Sequence, residues 1–291
     1  MTKKMILDLD TGIDDALALA YAAASPEVEL IGITGTYGNV QMALGVENSI
    51  ALLDLLDLKD VPVFKGLPHA KTKDSFEVQE ISAFIHGKNG LGEIELPRSE
   101  REAADQSAVD FIVESARKYG QDLYIVPVGP MTNIAAAIEK DPEAMKNVGK
   151  VVLMGGALTV PGNVNEFSEA NISQDPESAD ELFRADLPVT MVGLDVTTRT
   201  LLTYEETQKW RDLGTESGKF FADMTDYYIK AYETTSPHLG GCALHDPLAV
   251  AAAIQPDFLQ TLHLNMKVDT EGAGRGRTIG DETRINEADP I

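Results

Sequence analysis

Seven short apolar runs alternate with helical segments along most of the 291-residue chain, and that succession limits its architecture most. The runs cover residues 5–10, 29–37, 61–65, 123–128, 150–154, 188–196 and 262–269. Most are continuously apolar, which is how strands buried on both faces read. Helical periods lie between and after them at 14–24, 41–56, 107–119, 132–139, 176–184, 204–213, 219–234 and 247–254. The expected class is α/β, a mainly parallel sheet with helices on both faces. No repeat, low-complexity tract or composition shift marks a boundary, so a single domain over residues 1–291 is expected. Residues 66–97 and 234–244 are irregular and read as functional loops or lids.

Charge narrows the partners. The chain carries 47 acidic and 24 basic residues, a formal charge of −23. Such a surface repels phosphate backbones and anionic lipid, so neither nucleic acid nor a membrane is an expected partner. A small neutral substrate or a cation suits it better. The single cysteine, Cys242, leaves no internal disulfide and fits a reducing compartment. MTKK leads directly into a strand-like run without a signal-peptide h-region, and no stretch is long enough to span a bilayer. A cytoplasmic protein is the expectation.

The segment ILDLDTGIDDALALAYA places Asp8, Asp10, Asp14 and Asp15 in an otherwise apolar context. Asp8 and Asp10 close the first strand, Gly12 makes the turn, and Asp14 and Asp15 open the first helix. Ligands of such sheets bind beyond the carboxyl ends of the strands. Helix capping and the helix dipole account for Asp14 and Asp15, at about 1 kcal/mol. They do not account for Asp8 and Asp10, because unpaired buried carboxylates are costly. A divalent cation resolves the conflict. The nearby donors are hard oxygens, with no Cys or His cluster, which favours calcium or magnesium over zinc. Aspartyl-phosphate chemistry of the haloacid dehalogenase type also begins with such a strand. Here, however, Gly12 stands where that family has Thr or Val, and the later acid pair is missing because Ile285 follows Gly280-Asp281 at the sixth place.

DLDTGIDDALAL resembles the Asp-x-Asp-x-Gly-x-Asp-Asp signature of the inosine-uridine preferring nucleoside hydrolases. Four further segments match in family order: TGTYGNV (34–40), VPVGPMTNIAAA (126–137), MGGALTVPGNVNEFSEAN (154–171) and LHDPLAV (244–250). The resemblance implies the family's Rossmann-like fold, a calcium ion, and hydrolysis of the N-glycosidic bond of ribonucleosides to ribose and free base. It assigns Asp10, Asp15, the Val128 carbonyl and Asp246 to the metal. Asp14, Asn39, Asn163, Glu169 and Asn171 fall to the ribose hydroxyls, and Met154 lies near the sugar. Asp10 also takes the proton from the attacking water, and His245 faces the leaving base. A homodimer or homotetramer is the assembly implied. The chemistry agrees: departure of the base builds an oxocarbenium-like sugar, a divalent cation makes water nucleophilic, and clustered carboxylates favour positive charge.

Other residues are weighed individually. Ala170 stands where relatives carry Phe, and Asn165-Glu166 where Thr-Pro is common, with Asn165 readable as a turn residue. His86, in FIHGKNGLGE, resembles the family's loop near the nucleobase, although a loop histidine is often merely solvated. His238, Tyr228 and Tyr232 are candidates for base stacking or leaving-group protonation. The two tyrosines are four apart and share a helix face, so packing is expected for at least one. His263, placed in a strand, and His69, in a loop, read as structural, and Trp210 as a helix-to-core contact. The tail GAGRGRTIGDETRINEADPI resembles the family's approach to a further strand, and its end at Ile291 suggests altered edge packing or oligomer contacts.

Overall fold

The computed structural model describes residues 2–281, so the end of that tail lies outside the described residues. Strands β1 Lys3–Leu9, β2 Val28–Gly35, β3 Val63–Lys65, β4 Leu123–Pro127, β5 Lys150–Met154 and β6 Val189–Val192 form one six-stranded sheet. Its order is β3-β2-β1-β4-β5-β6, and every pairing in it is parallel. Helices α1 Ile13–Ala24, α2 Met42–Leu55, α3 Glu80–His86, α4 Ala108–Tyr119, α5 Thr132–Lys140 and α6 Pro142–Lys146 belong to the first half. The second half carries α7 Ala170–Gln174, α8 Pro176–Arg184, α9 Leu194–Thr197, α10 Tyr204–Asp212, α11 Glu216–Thr235 and α12 His245–Ile254.

The apolar runs are explained by two-sided burial. In β1, Met5, Leu7 and Leu9 enter one core cluster while Ile6 enters the other. In β5 the same alternation puts Val152 and Met154 on the first face and Val151 and Leu153 on the second. Side chains of α1, α2, α11 and α12 cover the first face, and those of α4, α5, α6 and α8 the second. This is the period-two geometry of a strand with no solvated side. Trp210 packs partly buried against the first cluster, as expected.

Strand order runs outward in opposite directions from β1 and β4. The carboxyl ends of these two neighbours therefore form the crevice where open α/β sheets hold their ligands.

Two expected strands are corrected. The run at 188–196 ends at Val192, because extended Gly193 turns the chain into the short helix α9. The run at 262–269 is no part of the large sheet. Only Met266–Val268 is strand, β9, paired antiparallel with β10 Thr278–Gly280. Its residues Leu262, Leu264 and Met266 alternate with polar ones, the pattern of a one-sided hairpin. His263 therefore lies in an exposed non-strand segment. The stretch expected to be irregular at 66–97 contains α3. That at 234–244 holds a 3₁₀ turn, Pro237–Leu239, and a short strand Cys242–Ala243 that pairs with Leu201–Leu202. No helix among the described residues is long and apolar enough to cross a membrane. Cys242 is buried and free.

Candidate active site

The turn from β1 into α1 organises the site. Asp15, in the first turn of α1, reaches back so that its Oδ1 accepts from Asp10 N at 3.1 Å and its Oδ2 from Gly12 N at 2.8 Å. Asn39, beyond the end of β2, donates its Nδ2 to the same Asp15 oxygen at 3.0 Å. Its backbone N donates to Asp10 Oδ2 at 2.6 Å. Asp15 is thus both a helix cap and a member of the cluster, so the two readings of its sequence position coexist. Gly38 carries Asn39 through a φ of +154°, and a Cβ there would stand 2.1 Å from Asp10 Oδ2. Only glycine lets this loop close on Asp10.

Asp246, on the first turn of α12, comes from the other end of the chain. One carboxylate oxygen from each of Asp14, Asp15 and Asp246 lies within 4.8 Å of the others. All three are buried, and Asp10 beside them is only 1% exposed. No lysine or arginine forms an ion pair with any of the four among the described residues. The nearest basic group is His86, whose Nδ1 is 3.7 Å from Asp14 Oδ1. Burial pushes the His86 imidazole down to about 4, so it is neutral near pH 7. Burial, reinforced for Asp15 by the Asp14 charge, raises Asp14 and Asp15 to about 6. Asp10 and Asp246 are raised well above the carboxylate range by burial and by the neighbouring acids.

Two buried oxygens in this cluster, Asp10 Oδ1 and Asp14 Oδ1, have no hydrogen-bond partner. Convergent carboxylates, orphaned oxygens and an oxygen-only donor set fit a hard divalent cation. The convergent group contains Asp14 together with Asp15 and Asp246, with Asp10 bordering it. The Val128 carbonyl, just past β4, accepts from Asn171 Nδ2 at 2.6 Å. Asp8 is different. Its Oδ1 accepts from Thr34 Oγ1 at 2.5 Å and Asn133 Nδ2 at 2.8 Å. Hydrogen bonds answer for this one oxygen, while Asp8 Oδ2 is buried without a partner and burial raises the carboxyl to about 7. Asp8 stands outside the convergent group of Asp14, Asp15 and Asp246, which corrects the reading that placed all four aspartates in one conflict.

The opposite wall follows β5. Glu169 caps α7 and accepts from Asn171 N at 2.9 Å, Ile172 N at 3.1 Å and Gly156 N at 2.9 Å. Burial raises its pKa despite these donors. Asn171 Nδ2 also donates to the Met154 carbonyl at 3.1 Å, which brings Met154 into the buried set. Asn163 is not in that set. It is exposed, and its Oδ1 accepts from Ala170 N at 3.0 Å, at the rim. Asn165 takes the backbone N–H groups of Phe167 and Ser168, each at 2.9 Å, and is a turn residue.

A polar aromatic chain lines the remaining side. Tyr228 OH donates to Asp14 Oδ2 at 3.3 Å, with its ring 5.4 Å from that of His86 and 4.9 Å from that of Tyr232. Tyr232 OH lies 2.7 Å from His245 Nε2, and His245 Nδ1 lies 2.8 Å from Thr197 Oγ1. Burial lowers the His245 pKa to about 4, leaving it neutral near pH 7. His238 is exposed on the 3₁₀ turn, and half-buried His69 bonds only its neighbour's carbonyl, that of Ala70. Sequence reasoning missed Thr197, which is joined to His245 across 48 residues with no local signal.

Fold and site together define a doubly wound α/β protein with a carboxylate-lined crevice at the β1/β4 switch point. The description of inosine-uridine preferring nucleoside hydrolases matches residues 5–290. A probable uridine nucleosidase 2 of Arabidopsis thaliana is 38% identical over 277 residues, 95% of this chain and 85% of its own. A pyrimidine-specific ribonucleoside hydrolase of Escherichia coli is 32% identical, over 97% of this chain and 89% of its own. Among solved structures, a purine-preferring ribonucleoside hydrolase from Gardnerella vaginalis superposes with a TM-score of 0.97 at 67% identity. It covers 99% of this chain and 91% of its own. The chain belongs to the inosine-uridine preferring nucleoside hydrolase family and is an enzyme of that class.

The close approach of Gly38 makes a sharp prediction. Gly38→Ala is expected to displace the Asp10 carboxylate and lower kcat/KM on a ribonucleoside by about 10²-fold, the cost of a misplacement near 1 Å. Steady-state kinetics on the folded variant checks this; wild-type kinetics would refute it.

Proposed function

We propose that the chain acts as a single domain that hydrolyses the N-glycosidic bond of ribonucleosides, purine ribonucleosides in preference, to ribose and free base with a bound calcium ion. The observation that carries this reading is the convergence of Asp10, Asp14, Asp15 and Asp246, buried and, among the described residues, without a lysine or arginine partner, in the β1/β4 crevice. The purine preference rests on the 67% identity to a structure described as purine-preferring, against 38% and 32% to relatives named for uridine or pyrimidines.

Asp10, Asp15, Asp246 and the Val128 carbonyl would hold the cation. Calcium supplies Lewis acidity that makes water nucleophilic near neutral pH. Asp10, with one oxygen bonded to Asn39 N and the other unpartnered, accepts the proton of the attacking water. Asp14, Asn39, Asn163, Glu169 and Asn171 take the ribose hydroxyls, Asn163 from the rim, and Met154 packs by the sugar. The carboxylates around the ring favour the positive charge that develops as the C–N bond breaks. Water thus adds to the anomeric carbon while the bonding pair leaves with the base. The departing base takes up a proton that comes ultimately from solvent, with Tyr232 and His245 the candidate groups to relay it and His86 and Tyr228 bordering the base. In this reading the enzyme works in the cytoplasm as a homodimer or homotetramer.

Reducing-sugar release from inosine, guanosine, adenosine, uridine and cytidine, with and without chelator, tests the proposal. Turnover is expected to be fastest on purines and lost with chelator. 2′-Deoxyinosine is expected to react at least about 10²-fold more slowly than inosine, because polar groups built for the missing hydroxyl lose their partner. Tight nucleoside binding without sugar release would replace the enzyme reading with that of a binder. Equal rates on inosine and 2′-deoxyinosine would contradict the ribose assignments.

A further inference from the structure

We propose that Asn133 is a positioning residue for the cation site, acting through Asp8 and touching neither substrate nor metal. The proposal rests on the reading above that Asp10 and the Val128 carbonyl hold the cation. Asn133 sits on the first turn of α5, fully buried beneath the carboxyl edge of the sheet. Its Nδ2 donates to Asp8 Oδ1 at 2.8 Å and to the Gly35 carbonyl at 3.1 Å. Its Oδ1 accepts from Leu67 N at 2.8 Å. One amide thus ties the ends of β1 and β2 and the chain leaving β3 to the helix that follows β4. The fit is close: a Cβ on Gly66 would stand 2.2 Å from the Gly35 carbonyl oxygen and 2.3 Å from Asn133 Nδ2.

These strand ends are the ones from which the site is assembled. Asp8 precedes Asp10 by two residues, and its carbonyl accepts from Val128 N at 2.9 Å. Asn133 therefore holds the side chain of a residue whose main chain holds Val128. Gly35 leads into Thr36, whose N donates to the Leu9 carbonyl at 2.8 Å, and on to Asn39, which grips Asp10 Oδ2 at 2.6 Å. Sliding any one of these ends would move Asp10, the Val128 carbonyl or Asn39 against the others. Asp8, Thr34 and Asn133 are each 0% exposed, and a polar trio is a costlier filling than apolar side chains of equal volume. What the trio adds is one specified arrangement of the strand ends. Residues that orient metal ligands commonly change metal affinity or activity by about 10- to 100-fold when removed.

The test is calorimetric titration of Ca²⁺ into wild type, Asn133→Ala, Asn133→Leu and Thr34→Val, with kcat and KM measured on the same samples. Thr34→Val removes the other donor to Asp8 Oδ1 and keeps its shape, so it tests the Asp8 anchor. Asn133→Leu, close in volume, removes the Asn133 bonds without opening a cavity and decides the matter where Asn133→Ala does not fold. Asn133→Ala is expected to weaken calcium binding by about 10-fold or more and to lower kcat. Thr34→Val is expected to shift calcium affinity the same way by about fivefold. Wild-type calcium affinity and kcat in a folded Asn133 variant, whatever its melting temperature, would overturn the positioning role alone. Absence of calcium binding by the wild type would overturn the functional reading and this proposal with it.

Discussion

Asp10→Asn is expected to reduce ribose release by about 10³-fold or more while leaving a folded protein, the largest kinetic effect of any single substitution considered. The side chain is 1% exposed at the exit of β1, with Asn39 N donating to its Oδ2 at 2.6 Å and its Oδ1 unpartnered. Asparagine keeps the shape and an acceptor for Asn39 N. Under the proposed mechanism it removes a base of the kind that contributes about 10²- to 10⁴-fold in general-base catalysis, and a charge from the proposed cation site as well. The cation-free variant should be at least as stable as the wild type near neutral pH, because burial and the charges of Asp15 and Asp14 oppose ionisation of Asp10. Loss of activity without loss of stability separates a chemical role from a structural one. Rates within about tenfold of wild type in a folded Asp10→Asn enzyme would remove Asp10 from the mechanism.

The parts of this molecule that could be read from its sequence are those governed by local pattern. Residues 150–154 form a strand over the expected span because apolar side chains enter both cores, and 176–184 form a helix opened by the Asp175 cap and Pro176. The aspartates after β1 were conspicuous because carboxylates interrupting an apolar strand demand compensation. What stayed hidden depends on partners distant in sequence. The four acids look alike along the chain, yet one oxygen of Asp8 is held by the side chains of Thr34 and Asn133, whereas the bonded oxygen of Asp10 is held by the backbone of Asn39 beside the acidic cluster. Asn133 lies in a recognisable motif, but its grip on Asp8 spans 125 residues and carries no periodic signal. The seven residues of α3 were too few to reveal a period, although they deliver His86 to Asp14. The alternation at 262–269 was present but overread as a strand of the large sheet, because a run of apolar residues does not reveal how many of its faces will be covered.

Without its cation the protein is expected to lose stability as pH rises from 6.5 to 8, and calcium should restore more at the upper end. The sign follows from the protons held in the folded state. Asp8 is raised to about 7, chiefly by burial, and Asp10 and Asp246 are raised well above the carboxylate range by burial and neighbouring acids. In the unfolded chain all three are fully ionised above pH 6.5. The folded form therefore binds more protons in this window, and its stability falls as they are removed. Asp14 and Asp15, at about 6, lose most of their contribution just below it. His86 and His245 act oppositely. Held down to about 4 by burial, they add stability as pH climbs through their ordinary value near 6.5, so most of that gain lies below the window and the remainder, about 0.4 kcal/mol each, offsets a small part of the loss at its lower end. One retained proton is worth about 1.4 kcal/mol per pH unit, so the loss is on the order of a few kcal/mol, or about 5 °C in Tm for a chain of this size. Calcium at 100 times its Kd adds about 2.7 kcal/mol and competes with those same protons, so its benefit grows with pH. Thermal melts in chelator and in calcium at pH 6.5 and 8.0 measure all four corners. Chelated samples melting at the same temperature at both pH values would mean that the cluster carries no excess protons, and the case for a cation as its natural counter-charge would fail.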